Sequence, residues 1–167
     1  TNESFLRTRE HMRFQFLLDP RNPREAQRLQ SAAIEPMFRI LQTMVDYVCV
    51  DLGRAVSRVS LPVIKMSHRV VMILSAEATA LQLSKATLEY FLSLGLAQKR
   101  IVLVFNRAVG REGASRSEAE NFLLGLPIFS TIPFEGERFT LAINQGIPLV
   151  QREPSCTAAL GLRDLAL

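Results

Sequence analysis

The sequence predicts an α/β fold, a doubly wound and mostly parallel sheet with helices on both faces. Three observations carry this. The stretches Asp46–Asp51, Arg69–Ser75 and Arg100–Asn106 each hold a continuous apolar, β-prone run (Tyr-Val-Cys-Val, Val-Val-Met-Ile-Leu and Ile-Val-Leu-Val-Phe). Such runs are expected of strands buried on both faces of a parallel sheet. Segments with helical spacing alternate with them, the order that βαβ units produce. Each run also closes on a polar residue, Asp51, Ser75 or Asn106. Neighbouring parallel strands gather such ends on one edge, where open α/β sheets bind their ligands.

Residues 1–13 are polar and charged and read as an N-terminal arm, with the folded domain expected over 14–167. Phe14–Leu18 is a short strand candidate stopped by Asp19-Pro20. A helix then opens at Pro23 or Arg24. Pro36 lacks the amide hydrogen that an interior helical position needs, so two pieces are expected, about 24–33 and 36–44. Met37, Ile40, Leu41 and Met44 form an apolar stripe in the second piece. After the run to Asp51, Gly53 turns the chain, and Ser60 followed by Leu61-Pro62 signals a short helix over 61–67.

Thr79 and Gln82 have capping-box spacing at the start of a helix that reaches Leu94, with Gly95 as its stop and Leu81, Leu88 and Leu92 on its inner face. Ser115 and Glu118 have the same spacing at the start of a helix to about Leu124. Leu126–Ile132 is a short strand interrupted by Pro127 and ended by Pro133. Arg138–Gln145 is a short helix with Phe139, Ala142 and Ile143 inward and Gly146 at its end. A last helix is expected from Pro154-Ser155 to the C-terminus, docked on the core and lacking the basic polar face of a membrane anchor.

Composition narrows the function classes. A chain of 167 residues suffices for one domain with a substantial core. No stretch is apolar for long enough to span a bilayer, and there is no secretory leader pattern. The first residue is Thr, which suggests part of a longer or processed chain. Two cysteines, Cys49 and Cys156, make no disulfide framework; Cys49 reads as a small buried hydrophobe in a reducing, cytoplasmic setting. The net charge is +4, carried mainly by arginines spread along the chain, which fits a solvated surface better than a nucleic-acid footprint. DNA binding would rest on scattered residues such as Arg21, Arg24 and Arg28 and would weaken steeply with salt.

The residues at the strand ends each allow two readings. Asp51 is a ligand-binding carboxylate or a side chain that caps the following turn. Asn106 carries both a donor and an acceptor suited to a base edge, or is a turn residue. Pro133 is part of a binding segment or a strand terminator.

Taken in order, Tyr-Val-Cys-Val-Asp-Leu-Gly, Val-Val-Met-Ile-Leu-Ser-Ala-Glu, Val-Phe-Asn-Arg, Ile-Pro-Phe-Glu and Ala-Ile-Asn-Gln-Gly-Ile-Pro-Leu-Val resemble ParA/MinD-type ATPases, a P-loop NTPase-like fold. The nearest branch by this resemblance is the CpaE-type pilus-assembly proteins, and the likeness runs from about Phe14 to the C-terminus. It implies ATP or ADP with Mg²⁺ as ligands, and a nucleotide-bridged homodimer or a partner protein. Asp51 matches the carboxylate that holds Mg²⁺ through water, although Leu-Gly-Arg follows it where the family has Thr-Pro-Pro or Thr-Ala-Gly. Asn106 matches the adenine-recognising asparagine, and Pro133 with Phe134 the segment packed on the adenine ring.

The phosphate loop is absent. The first glycine is Gly53, and Lys65, Lys85 and Lys99 are neither preceded by glycine nor followed by Ser or Thr. Such loops supply most of the phosphate binding, so the chain is expected not to hydrolyse ATP alone. It reads as the later two-thirds of such a domain, or as a pseudo-ATPase that serves as an interaction surface.

A different class is a degenerate receiver domain of two-component signalling, with Asp51 as phosphoacceptor and Ser75 as switch hydroxyl. Against it stands Asn106-Arg107 where a receiver has Lys-Pro. A Rossmann dinucleotide site is excluded because no G-x-G-x-x-G exists.

Overall fold

In a computed structural model of the chain, the residues described are 7–8, 15–17, 30–54, 56–106 and 113–166. They fall into two compact units, Thr1–Met66 and Ser67–Leu167.

In the first unit, β1 (Arg7–Thr8) and β2 (Gln15–Phe16) form a two-residue antiparallel ladder. Helix α1 spans Ser31–Met44 without a break at Pro36. The proline costs the helix one amide donor, toward the carbonyl of Ala32, and the single helix tolerates that loss. The part of the expected first piece from 24 to 29 lies outside the described residues. The stripe expected to face a core does so only in part: Met37 and Leu41 are half-buried, Ile40 is 61% and Met44 59% exposed, and Ile34 is the buried contact of α1. Helix α2 (Ser60–Met66) packs against α1 and buries Val63 and Ile64. Its start is tied by a reciprocal pair. The Ser57 amide donates to Ser60 Oγ at 2.7 Å, and the Ser60 amide donates to Ser57 Oγ at 3.1 Å. The capping serine is therefore Ser57, and Ser60 is the first helical residue.

The expected strand Asp46–Asp51 is not one. Residues 47–50 form no regular element and pair with no ladder among the described residues, and Tyr47 is 89% exposed. Cys49 is exposed as well, whereas Cys156 is the buried cysteine. An apolar run supplies the burial tendency of a strand but not the neighbour that completes its hydrogen bonds.

The second unit holds a three-stranded parallel sheet, β3 (Val70–Leu74), β4 (Ile101–Asn106) and β5 (Ile128–Ile132), with β4 in the middle. The ladders run from Val70↔Ile101 to Leu74↔Phe105 and from Leu103↔Ile128 to Asn106↔Ile132, with a register shift at Leu103/Val104. Two arginines fasten the N-terminal side: Arg69 Nη1 donates to the Lys99 carbonyl at 2.6 Å, and the Arg100 guanidinium donates to the Ser67 carbonyl.

Helix α3 (Ala78–Ser93) follows β3 and packs against it, burying Leu81, Leu88 and Phe91. Its expected capping box does not form: the helix begins at Ala78, so Thr79 is already inside it and no side chain caps it. Helix α4 (Arg116–Phe122) does carry its box. The Glu118 amide donates to Ser115 Oγ at 3.3 Å, and the Ser115 amide donates to Glu118 Oε2 at 2.7 Å.

The other face of the sheet is covered by α5 (Arg138–Gln145), α6 (Leu149–Arg152) and α7 (Thr157–Asp164). Val104 and Ile132 meet Ala142, Leu149, Cys156, Ala158 and Ala159 there. The last helix begins at Thr157, just after the expected Pro154-Ser155 start, and it does dock. Its buried face is small, Ala158, Ala159 and Gly161, with Leu162 and Leu165 only partly buried. Gly161 makes the approach possible, since a Cβ there would lie 3.0 Å from the Thr131 carbonyl oxygen. Ser130 Oγ then donates to the Gly161 carbonyl at 3.0 Å. On α5, Phe139 and Ala142 point inward as expected, but Ile143 is 77% exposed.

Candidate functional site

The C-terminal ends of the three strands meet on one edge of the sheet. The pairing of Leu74 with Phe105 sets Ser75 beside Asn106. The pairing of Asn106 with Ile132 sets Pro133 and Phe134 on its other side. The structure therefore brings together Ser75, Asn106, Pro133 and Phe134. Asn106 and Pro133 are partly buried, while the Phe134 ring is 55% exposed.

Each part has a local cause. Asn106 ends a strand buried along most of its length, so its amide is carried to the rim by a rigid element. Pro133 cannot donate to a continuing ladder and ends β5 there. Ser75 donates through its hydroxyl to Glu77 Oε2, and Glu77 stands immediately before α3, where a negative charge is favoured by the helix dipole.

Gly113 and Ala114 lie against the start of the turn that follows Ser75. The Ala114 amide donates to the Ala76 carbonyl at 3.0 Å. Gly113 has a φ of +90°, and a Cβ on it would lie 2.6 Å from the Ala76 oxygen, so only glycine fits there. Sequence reasoning missed this contact. The signal was a glycine between a strand end and a capping box, which reads equally well as a loop.

Asp51 lies in the N-terminal unit, exposed, not on a sheet edge. Its Oδ1 accepts the Gly53 amide at 2.9 Å, and Gly53 has a φ of +65°. That is a side-chain-closed turn, the local behaviour typical of Asp. Among the described residues no cluster of His, Cys, Asp and Glu is arranged to hold a metal ion. A Mg²⁺ ion bound largely through water and phosphate needs only one such carboxylate.

The donor set suits a nucleobase. A carboxamide beside an exposed aromatic ring offers a hydrogen-bonding pair and a stacking face at one rim. Phosphates find no equivalent, because no glycine-rich turn with a following lysine exists in the sequence.

A ParA family ATPase from Chlorobium tepidum TLS superposes on the chain with a TM-score of 0.82 at 18% identity, over 91% of this chain and 63% of that one. The chain has a ParA-type fold. The MinC:MinD cell division protein complex of Aquifex aeolicus contains a second similar structure, with a TM-score of 0.51 at 14% identity, over 61% of this chain and 42% of that chain. The present chain thus spans less than two-thirds of either. No family model matches it, and a search of curated proteins gives no match. In this ParA-type fold the three-stranded parallel sheet, flanked by helices on both faces, is the frame that sets Asn106 beside Pro133. No helix among the described residues is long and apolar enough to cross a membrane.

Proposed function

We propose that this chain is the adenine-binding part of a ParA/MinD-type ATPase domain of the CpaE-like branch, acting in the cytoplasm in positioning, partitioning or pilus assembly. The observation that carries the reading is the placement of Asn106 in register with Ile132, directly before Pro133-Phe134, within a ParA-type fold. Asn106 pairs with the base edge, and Pro133 and Phe134 pack on the ring. Asp51 is a Mg²⁺-binding carboxylate. ATP is not hydrolysed by this chain alone, because it lacks the lysine and the amide cradle that stabilise the transferred phosphoryl group.

The outer edge of β3 supports an incomplete domain. It has no ladder partner among the described residues. A further parallel strand bearing the phosphate loop would complete that edge. Assembly of the domain with a second copy or with a partner protein belongs to the same proposal.

Calorimetric titration with Mg-ATP and Mg-ADP tests the reading. Base contacts without a phosphate cradle correspond to a dissociation constant of roughly 0.1–1 mM. We expect binding in that range, lost in Asn106→Ala, with no ATP turnover. Absence of any binding, or turnover that depends on Asp51, contradicts it.

A further inference from the structure

Three residues past Asn106's ladder partner Ile132 stands Glu135, whose side chain is 12% exposed. Its two carboxylate oxygens have separate work. Oε1 accepts the backbone amide of Ala158, in the first turn of α7, at 3.0 Å. Oε2 accepts Arg138 Nη1 at 2.9 Å. Arg138 in turn reaches Glu153 Oε2 through Nε at 3.3 Å. The backbone joins in, since the Arg138 amide donates to the Glu135 carbonyl at 3.2 Å.

The Pro133-Phe134 segment is therefore held at both ends. On one side β5 is paired to β4 through Ile132. On the other, Glu135 is fixed to α7 and to α5. Pro133 has a fixed φ, so little backbone freedom remains between the two anchors. Phe134 itself stays 55% exposed between these anchors. A helix cap needs only one carboxylate oxygen. The second bond, to an arginine on the helix that follows the segment, is what a grip on the segment requires.

We propose that Glu135 is a positioning residue that holds Phe134 at the sheet edge beside Asn106, so that the base-binding surface is formed before any base arrives. The inference rests on the adenine reading for its purpose, but the positioning itself is measured without nucleotide.

The chain contains no tryptophan, so Phe134→Trp places a sole indole reporter on this segment. In that background, Glu135→Ala is expected to lower the fluorescence anisotropy of the introduced indole, and Glu135→Gln, which keeps an acceptor for the Ala158 amide, to restore part of it. In the chain that keeps Phe134, Glu135→Ala is expected to weaken Mg-ADP binding roughly five- to tenfold, the effect of ordering one loop side chain at the moment of binding. If Glu135→Ala does not fold, Arg138→Met, at a residue whose side chain is 48% exposed, removes one side of the grip instead.

Unchanged anisotropy overturns the proposal, even if the melting temperature falls, because Glu135 is then only a helix cap. Lowered anisotropy with unchanged Mg-ADP affinity also overturns it. Lowered anisotropy in a chain whose parent binds no nucleotide upholds the grip on Phe134 and overturns the adenine reading alone.

Discussion

Gly113 and Asn106 answer to different forces. At Gly113 the constraint is steric and conformational together: φ is +90°, and the nearest atom to a Cβ would be a carbonyl oxygen at 2.6 Å. That oxygen also accepts the Ala114 amide, so it cannot yield without breaking the bond. Gly113→Ala is expected to destabilise the chain by about 1–3 kcal/mol, read as a lower urea midpoint. An unchanged midpoint would show that the contact with Ala76 contributes nothing. Asn106 has no such steric burden, and its replacement by Ala is expected to leave the urea midpoint nearly unchanged while removing nucleotide binding. At Asp51 one carboxylate oxygen closes the turn that follows. Its place after an apolar run fits a strand-end ligand, yet the amide two residues on satisfies it locally.

Helix α4 is the element whose local sequence decides most. Ser115 and Glu118 close a reciprocal box, and Glu120 reaches across to accept the Ile128 amide at 2.9 Å, tying α4 to β5. The Ser115 hydroxyl and then its amide hold the Glu118 carboxyl below its ordinary value of 4.5; the Ile128 amide and then Arg116 do the same for Glu120. A depressed folded value means that the stabilising effect is present in full above pH 4.5 and is lost as the pH falls through the folded value. Glu118→Gln is therefore expected to lower the stability of α4 near neutral pH and to make no difference in strong acid, measured by amide exchange of Ala119–Phe122 across pH. Ser115→Ala should cost about 1 kcal/mol, the usual effect of a lost cap. The same spacing at Thr79 and Gln82 formed no box, because the helix starts one residue before Thr79. Spacing is legible in a sequence; the residue at which the preceding strand releases the chain is not. A like limit separates Ile101–Phe105 from Tyr47–Val50. Both are continuous apolar runs, but only the first lies between two ladder partners. Ile40, Met44 and Ile143 had helical spacing without the neighbouring surface that would bury them. Pro36 was read as a break, and a single missing amide proved too small a loss to split α1.

For the molecule as a whole, the α/β class was readable because strand–helix alternation is a property of the chain itself, whereas burial on both faces holds for β4 and not for β3. The meeting of Asn106 with Pro133-Phe134 was readable only through the ordered resemblance, since nothing local states which strands are neighbours. The docking of the last helix was readable, but its contact through Ala158, Ala159 and Gly161 was not, because small residues carry little hydrophobic signal. The division into Thr1–Met66 and Ser67–Leu167 carries its own prediction. The second unit has a sheet, both helical layers and the candidate site, and Ser67–Leu167 expressed alone should give a dispersed amide spectrum and one cooperative thermal transition. A collapsed spectrum would show that its core depends on the first unit. The most direct test of the central claim is amide chemical-shift mapping during titration with Mg-ADP. The account predicts shifts concentrated at Ser75, Asn106 and Phe134, saturating together and absent in Asn106→Ala. Shifts gathered elsewhere, or none at millimolar nucleotide, would contradict an adenine site on this edge.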